Sequence, residues 1–313
     1  MLDRSLGHWT VVPNVERYAY QMPEWTSGQK LVSIATVGSD DSNWELIGTF
    51  PNLVELTLHS PSAEQLAFGS QLWRLKRLRI THARTKDIAF ISRLQNLEEV
   101  ILEYVSGFDD LAPIGELKNL RALHVENLRR VSDFSGIGGA ANLEYLGLYG
   151  TVDWSQPVDS FDFLSSLKGL EYIGLGFLKV PQSGQPLASV SELRRLRKLD
   201  ISMNTFVLET FAWVESQFPK VEGAVRPAFV KFGGKDEEIH PRDIRFRMPI
   251  DEFEKYPNLF VGPDRKRYQR VAHQAALLGR GQRGLSGSKE IVDRACERHA
   301  QKYKKLVAQF SNN

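Results

Sequence analysis

The sequence predicts an α/β solenoid, a curved parallel β-sheet with short 3₁₀ or α segments returning the chain along the convex side. Three observations predict it. The pattern L-x-x-L-x-L starts at Leu31, Leu53, Leu75, Leu97, Leu120, Leu143, Leu170 and Leu196, at intervals of 22, 22, 22, 23, 23, 27 and 26 residues. Apolar residues recur nine, six and three positions before five of these starts, as Ile88, Ile91 and Leu94 do before Leu97. Asp87, Asp110 and Asp133 stand just ahead of three of those apolar triplets.

Each element follows from one of these signals. Residues of a strand alternate between faces, so the fourth and sixth positions of the pattern share one face. The fourth reads Ile34, Leu56, Leu78, Val100, Leu123, Leu146, Ile173, Leu199; the sixth reads Thr36, Leu58, Ile80, Leu102, Val125, Leu148, Leu175, Ile201, with Thr36 the one exception to aliphatic character. A strand this short cannot bury its leucines alone, but stacked strands about 4.8 Å apart share a continuous core. A period of three is the eclipsed spacing of a 3₁₀ helix. The three aspartates are placed to cap such turns by accepting from free backbone N–H groups.

The ends of an open stack need covers. Residues 1–30, with Trp9, Val11, Val12, Tyr18, Tyr20 and Trp25, are expected to form a β-type cap, and residues 31–226 the repeats. "FPKVEGAV" reads as a weakened ninth strand. Residues 227–262 read as a degenerate terminal repeat with a polar insertion, because Ile250, Phe253 and Tyr256 lie nine, six and three before Leu259. Residues 263–313 read as a basic helical hairpin. Its first helix would use Val271, Ala275 and Leu278 and end at Gly279. Its second, from Ser288, would use Val292, Cys296, His299, Tyr303, Leu306 and Phe310, a helical stripe.

The run D-L-x-P-I-x-x-L-x-N-L-x-x-L-x-V at Asp110–Val125 resembles the leucine-rich repeat family, in the 22-residue subclass of the bacterial internalins and the eukaryotic phosphatase regulator. The resemblance covers about Leu31–Val225 and implies a scaffold for protein recognition rather than catalysis. The family places Asn at the ninth position to bond the turn backbone. Here only Asn204 fits; Ser39, Pro61, Ala83, Val105, Leu128, Thr151 and Leu178 fill the others, so irregular turns are expected after the strands.

Composition narrows the function classes. Hydrophobic residues make up 42% and charged residues 25%, an ordinary globular balance. No apolar run approaches the ~20 residues of a membrane span. A single cysteine, Cys296, excludes an internal disulfide and points to a reducing, cytoplasmic setting. From Asp264 onward there are 12 Lys or Arg against 4 Asp or Glu, whereas residues 1–263 carry 28 against 34. Opposite charges at the two ends suggest different surroundings for each.

Positions three, five and seven of the pattern should line the concave face. Tyr145 and Tyr172 would then be neighbours, with Tyr149 beyond them and Gly147, Gly174 and Gly176 leaving a shallow aromatic-walled depression. His124, Glu126, Glu99, Glu103, Arg77 and Arg79 would form charged bands beside it. Tyrosine buries much area at small entropic cost, which suits an anchor for a protein or peptide. Two other classes are open. The basic C-terminal helices could bind nucleic acid or an acidic partner. Cys296 and His299, three apart on a helix, could form a thiolate–imidazole pair, although both fall within an apolar stripe. "GRGQRGLSGSK" lacks the G-K-[ST] order of a phosphate loop, and the histidines show no metal-ligand spacing. No catalytic residue, metal or cofactor is expected, and no membrane association.

Overall fold

The computed structural model describes residues 2–3, 10–11, 28, 30, 32–181 and 184–312. The expected N-terminal cap falls largely outside the described residues, within which β1 (Leu2–Asp3) pairs antiparallel with β2 (Thr10–Val11). The chain divides into two units, Met1–Phe206 with Gln217–Val225, and Val207–Ser216 with Arg226–Asn313.

The first unit is built on an eight-stranded parallel sheet. Its strands are β3 (Ile34–Gly38), β4 (Glu55–His59), β5 (Arg77–Thr81), β6 (Glu99–Glu103), β7 (Ala122–Glu126), β8 (Tyr145–Tyr149), β10 (Tyr172–Gly176) and β12 (Lys198–Ile201), paired in chain order. A two-residue parallel ladder, β9 (Gln156–Pro157) with β11 (Leu178–Lys179), occupies the longest insertion. "FPKVEGAV" contributes one parallel bridge, Glu222 to Lys198. One face of the sheet carries the short 3₁₀ segments Trp44–Thr49, Ala89–Arg93, Ser135–Gly139, Asp162–Ser166 and Ala188–Glu192, with α segments at Ala63–Gly69 and Ala112–Gly115. Every residue of the five apolar triplets is buried. The sequence folds as a leucine-rich repeat solenoid.

Register is in phase with the repeat except at its start. Leu56, Leu78, Val100, Leu123, Leu146, Ile173 and Leu199 lie on one row across seven strands. In the first repeat Ala35 pairs with Leu56 and Val37 with Leu58, one residue later than expected. Ala35 and Val37 are therefore core residues, and Thr36 lies beside Thr57 on the other face. A slip of one residue exchanges the faces of a whole strand. It replaces Ile34 and Thr36 by two apolar residues of a size that fits, and so removes the exception.

The turns after five of the eight strands share one geometry, which corrects in part the expectation of irregular turns. At position eight, Ser60, His82, Tyr104, Asn127 and Phe177 all adopt left-handed backbone, with φ of 49° to 57°. At this position the backbone N–H groups of Ser60, His82, Tyr104, Asn127 and Gly150 reach the last strand residue of the next unit, Thr81, Glu103, Glu126, Tyr149 and Gly176, at 2.8 to 2.9 Å. The main chain thus supplies the ladder that ring-side asparagines would otherwise provide. The ninth position is then free to be apolar, and Ala83, Val105 and Leu128 are buried there. Gln156 helps in the long repeat, accepting from Leu128 N–H and donating to the Val131 carbonyl.

An asparagine ladder exists at the opposite end of the strands. Asn52, Asn96, Asn119 and Asn142, each just before a repeat leucine, donate from Nδ2 to the carbonyls of Lys30, Trp73, Gln95 and Lys118 in the preceding unit, at 2.7 to 2.9 Å. Asp87, Asp110 and Asp133 behave as the sequence indicates, accepting from the N–H of Ala89, Ala112 and Ser135. Ser160 does the same for Asp162.

Two neighbouring segments meet backbone to backbone. A Cβ on Gly136 would lie 2.5 Å from Ala112 N and 2.7 Å from the Leu111 carbonyl carbon, and a Cβ on Gly139 would lie 2.7 Å from Gly115 O. Main chain on both sides cannot yield locally. Gly136→Ala should therefore destabilise the solenoid by about 2–3 kcal/mol, as overpacking does in a closed interior. A urea midpoint compared with that of Ser135→Ala, an exposed neighbour, checks it.

The second unit corrects three expectations. Residues 264–278 are not a helix. They hold β16 (Arg267–Gln269) and β17 (His273–Leu277), and β17 is flanked by β13 (Phe229–Gly233) and β18 (Leu285–Gly287) in an antiparallel sheet. Ala275 is buried within β17 and Leu278 just past its end, so two burials of different kinds fall at a helical spacing. Gly279 turns the chain at φ 112° after a strand, not a helix. The region read as a polar insertion contains β13 and β14 (Glu237–Glu238). The degenerate repeat has a short helix (Ile250–Phe253) and β15 (Leu259–Val261), but β15 pairs antiparallel with β16, and Ile250 and Tyr256 are exposed. The final helix, Lys289–Ser311, starts at the Ser288 cap and buries Val292, Cys296, His299 and Tyr303. It packs on the sheet through Ala275, Phe229, Leu277 and Leu285.

Candidate functional site

The open face of the parallel sheet gathers the expected site residues. Register sets Tyr145 directly beside Tyr172, and their rings stack 4.6 Å apart at 9°. Each is at least 96% buried, Tyr145 being 2% and Tyr172 4% exposed. Tyr149 explains why. Its ring lies over the row of glycines, so that a Cβ on Gly174 would fall 2.0 Å from the Tyr149 hydroxyl and one on Gly176 2.7 Å from its ring. His124 stacks on the other side of Tyr149 at 5.1 Å and faces Gly147. The expected depression is thus filled from within: the glycines make room for the molecule's own aromatic rings. The Tyr172 hydroxyl donates to Asp200 Oδ2 at 3.2 Å.

Burial controls the ionisation of this stack. Tyr145 and Tyr172 are held neutral well above the usual phenol range, chiefly by loss of water, and Tyr149 is pushed up to about 12 for the same reason. His124 is lowered to about 3, first by burial and then by the charge of Arg79. It is a neutral imidazole, 3.4 Å from the Tyr145 hydroxyl.

The charged bands are paired internally. Arg79 reaches Glu103 with both Nη2 and Nε, the latter at 2.7 Å, and both side chains are 12% exposed. Arg77 lies between Glu55 and Glu99, 3.5 Å from each. Glu126 stands beside Glu103 in register and is raised by burial and by that neighbour. A carboxyl whose folded pKa exceeds its unfolded one opposes folding once ionised. Its unfavourable effect is absent at low pH and grows as pH rises through the carboxylate range. Glu126→Gln should therefore raise the urea midpoint at neutral pH and leave it unchanged at acid pH.

The accessible part of this face lies at the strand exits, which the reading of positions three, five and seven missed. His82 and Tyr104 stack at 4.8 Å and 4°, with His59 edge-on to His82 at 5.4 Å. Tyr104 is 40% exposed and bonded to Glu126, and Phe177 is 38% exposed. His82, Tyr104 and Phe177 occupy position eight on left-handed backbone. Such backbone costs a bulky residue about 1–2 kcal/mol. The signal in the sequence was rings at position eight of two successive repeats, His82 and Tyr104, and again at Phe177.

The other candidates are placed differently. Cys296 is fully buried among Ala275 and Val292, and burial raises its thiol, the reverse of an activated nucleophile. The His299 ring is engaged with the Leu278 carbonyl at 2.8 Å. Several basic residues of the tail are engaged too: Lys266 with Glu238, Lys302 with Glu209, Arg267 over Phe246 and Phe253, Arg270 over Phe260. Among the described residues, no group of three His, Cys, Asp or Glu is placed to hold a metal ion, and no helix is long and apolar enough to cross a membrane.

No known family profile matches this chain, and no curated protein does. Among solved structures, it is similar to an internalin C2 from Listeria monocytogenes, with 23% identity over 55% of this chain and 74% of that one, at a TM-score of 0.43. An internalin F of the same organism shares 16% identity over 55% and 68%, at 0.30. A leucine-rich repeat protein of Leptospira interrogans shares 23% over 53% and 48%, at 0.38. These are likenesses of fold.

Proposed function

We propose that the chain is a non-enzymatic protein-recognition module, an adaptor, regulator or inhibitor, that holds a protein or peptide on the open face of its repeat sheet. The observation that carries this reading is the aromatic row at the strand exits. Large side chains are held exposed there, on a backbone conformation they avoid, with Tyr104 bonded to Glu126. Strained, exposed aromatic positions repeated in register are costly to keep for folding alone. They suit the anchors of an interface. Tyr145, Tyr172, His124 and the pairs of Arg77, Arg79, Glu99 and Glu103 form the rigid layer behind them, which limits the entropy lost on binding. A cytoplasmic setting accords with the one cysteine kept in a core.

The test is an affinity capture from the source cell, with wild type compared to His82→Ala/Tyr104→Ala, whose residues are exposed and whose loss leaves the core intact. A protein retained by wild type and lost by this variant supports the reading. Equal retention of every partner by both, or loss only when the basic positions Arg294, Arg298 and Lys305 are changed to Ser, would move function off this face.

A further inference from the structure

We infer that the outer edge of β13 is a seam at which two copies of this chain pair antiparallel, about a two-fold axis through Lys231. β13 lies at the edge of its sheet. Leu278 N–H donates to Ala228 O at 2.8 Å, and Gly234 N–H to Ala272 O at 3.3 Å. Bonded pairs alternate in an antiparallel ladder. Val230 and Phe232 therefore bond to Ala276 and Gln274, while the N–H and C=O groups of Phe229 and Lys231 point away from β17. No described residue takes them up.

Edges of this kind are normally blunted by proline, an outward charge, a bulge or a cover. From Phe229 to Phe232 β13 has no proline, and the left-handed pair Gly233 and Gly234 bends the chain only at its end. Its one charge, Lys231, is turned onto the C-terminal helix and held by Asp293 at 2.5 Å. Val230 and Phe232, on the face away from that helix, are 44% and 51% exposed.

The pattern of β13 is complementary to itself. A two-fold axis through Lys231 sets Val230 opposite Phe232 of the second copy, twice over. Aromatic and β-branched residues make a favourable cross-strand pair. On the helix side Lys231 meets Asp293 and Glu297, and Lys289 acts on Asp293 too, so carboxylates and ammoniums balance there and the seam rests on the backbone and on the Val230–Phe232 pairs. The two three-stranded sheets would become one of six. Five residues a side bury less than the ~1,200 Å² of a standard interface, so the dimer should be weak and reversible.

Sedimentation velocity of the full chain across the micromolar range tests this. The expected result is a rise from one-chain to two-chain mass, weakened at least tenfold (about 1.4 kcal/mol) in Val230→Glu/Phe232→Glu with an unchanged far-UV circular dichroism spectrum. Lys231→Cys provides the second arm. Paired Cα atoms across such a seam lie about 5.5 Å apart, within disulfide reach. Mild oxidation should therefore link Lys231→Cys into dimers and leave Lys235→Cys unlinked; the native Cys296 is buried. A one-chain mass at every concentration overturns the inference. So does a dimer indifferent to the two glutamates, or equal crosslinking at both positions.

Discussion

Arg79→Met is expected to lower the stability of the repeat sheet by about 3–5 kcal/mol, the cost of leaving a buried carboxylate without its cation. Arg79 and Glu103 face each other from adjacent-but-one register rows of neighbouring strands, each 12% exposed at the side chain. Methionine keeps the length and apolar stem of arginine, so the loss reads charge and hydrogen bonding rather than volume. Glu103 would remain beside Glu126 with no guanidinium between them. The double variant Arg79→Met/Glu103→Gln should recover much of the loss. A double-mutant cycle by urea denaturation measures that recovery. A single variant within 1 kcal/mol of wild type would show that water reaches the pair and screens it.

How far this was legible in the sequence depends on the kind of interaction. Leu56, Leu78, Val100 and their successors recur at a nearly fixed interval because every unit must present its core residues to the unit before it, so periodicity reveals the sheet, its order and most of its register. The first strand was misplaced by one residue because Leu31 continues the leucine pattern, whereas Val32, Ala35 and Val37 satisfy it less visibly. The three-dimensional content of the face was less accessible. Alternation put Tyr145 beside Tyr172, but it could not show that Tyr149 folds back over Gly174 and Gly176. That depends on a ring torsion and on the empty space beside it. The missing asparagine at position nine suggested irregular turns because the main-chain ladder at position eight leaves no mark in composition. Four Asn-Leu pairs, Asn52-Leu53, Asn96-Leu97, Asn119-Leu120 and Asn142-Leu143, did mark the ladder at the strand entries. Beyond Val225 no strand joins the parallel sheet, and the helical spacing of Val271, Ala275 and Leu278 spans only two turns, so long-range pairing of β17 with β13 overrides it.

Acid should destabilise the solenoid well above the pH at which its carboxylates are protonated, and His124 should be the cause. The imidazole is buried and neutral, with its pKa lowered from the ordinary 6.5 to about 3. In the unfolded chain it titrates normally. Between these two values the unfolded state binds more protons, so stability rises with pH throughout that window and falls as the solution is acidified. Each pH unit below 6.5 costs about 1.4 kcal/mol, which makes the loss about 3 kcal/mol near pH 4.5. Lowered carboxylates such as Asp133 act in the same direction, but only below their unfolded value of 3.8, so the two effects separate. His59, lowered by burial and by its neighbours His82 and Arg79, adds a smaller slope of the same sign. His124→Phe retains a ring against Tyr149 and cannot take up a proton. Urea midpoints measured from neutral pH down to about pH 4.5 should therefore fall steeply for wild type and weakly for this variant. Parallel curves would mean that the imidazole is protonated in place, and that the stack of His124, Tyr149, Tyr145 and Tyr172 opens to water instead of forming the closed layer on which the exposed rim is built.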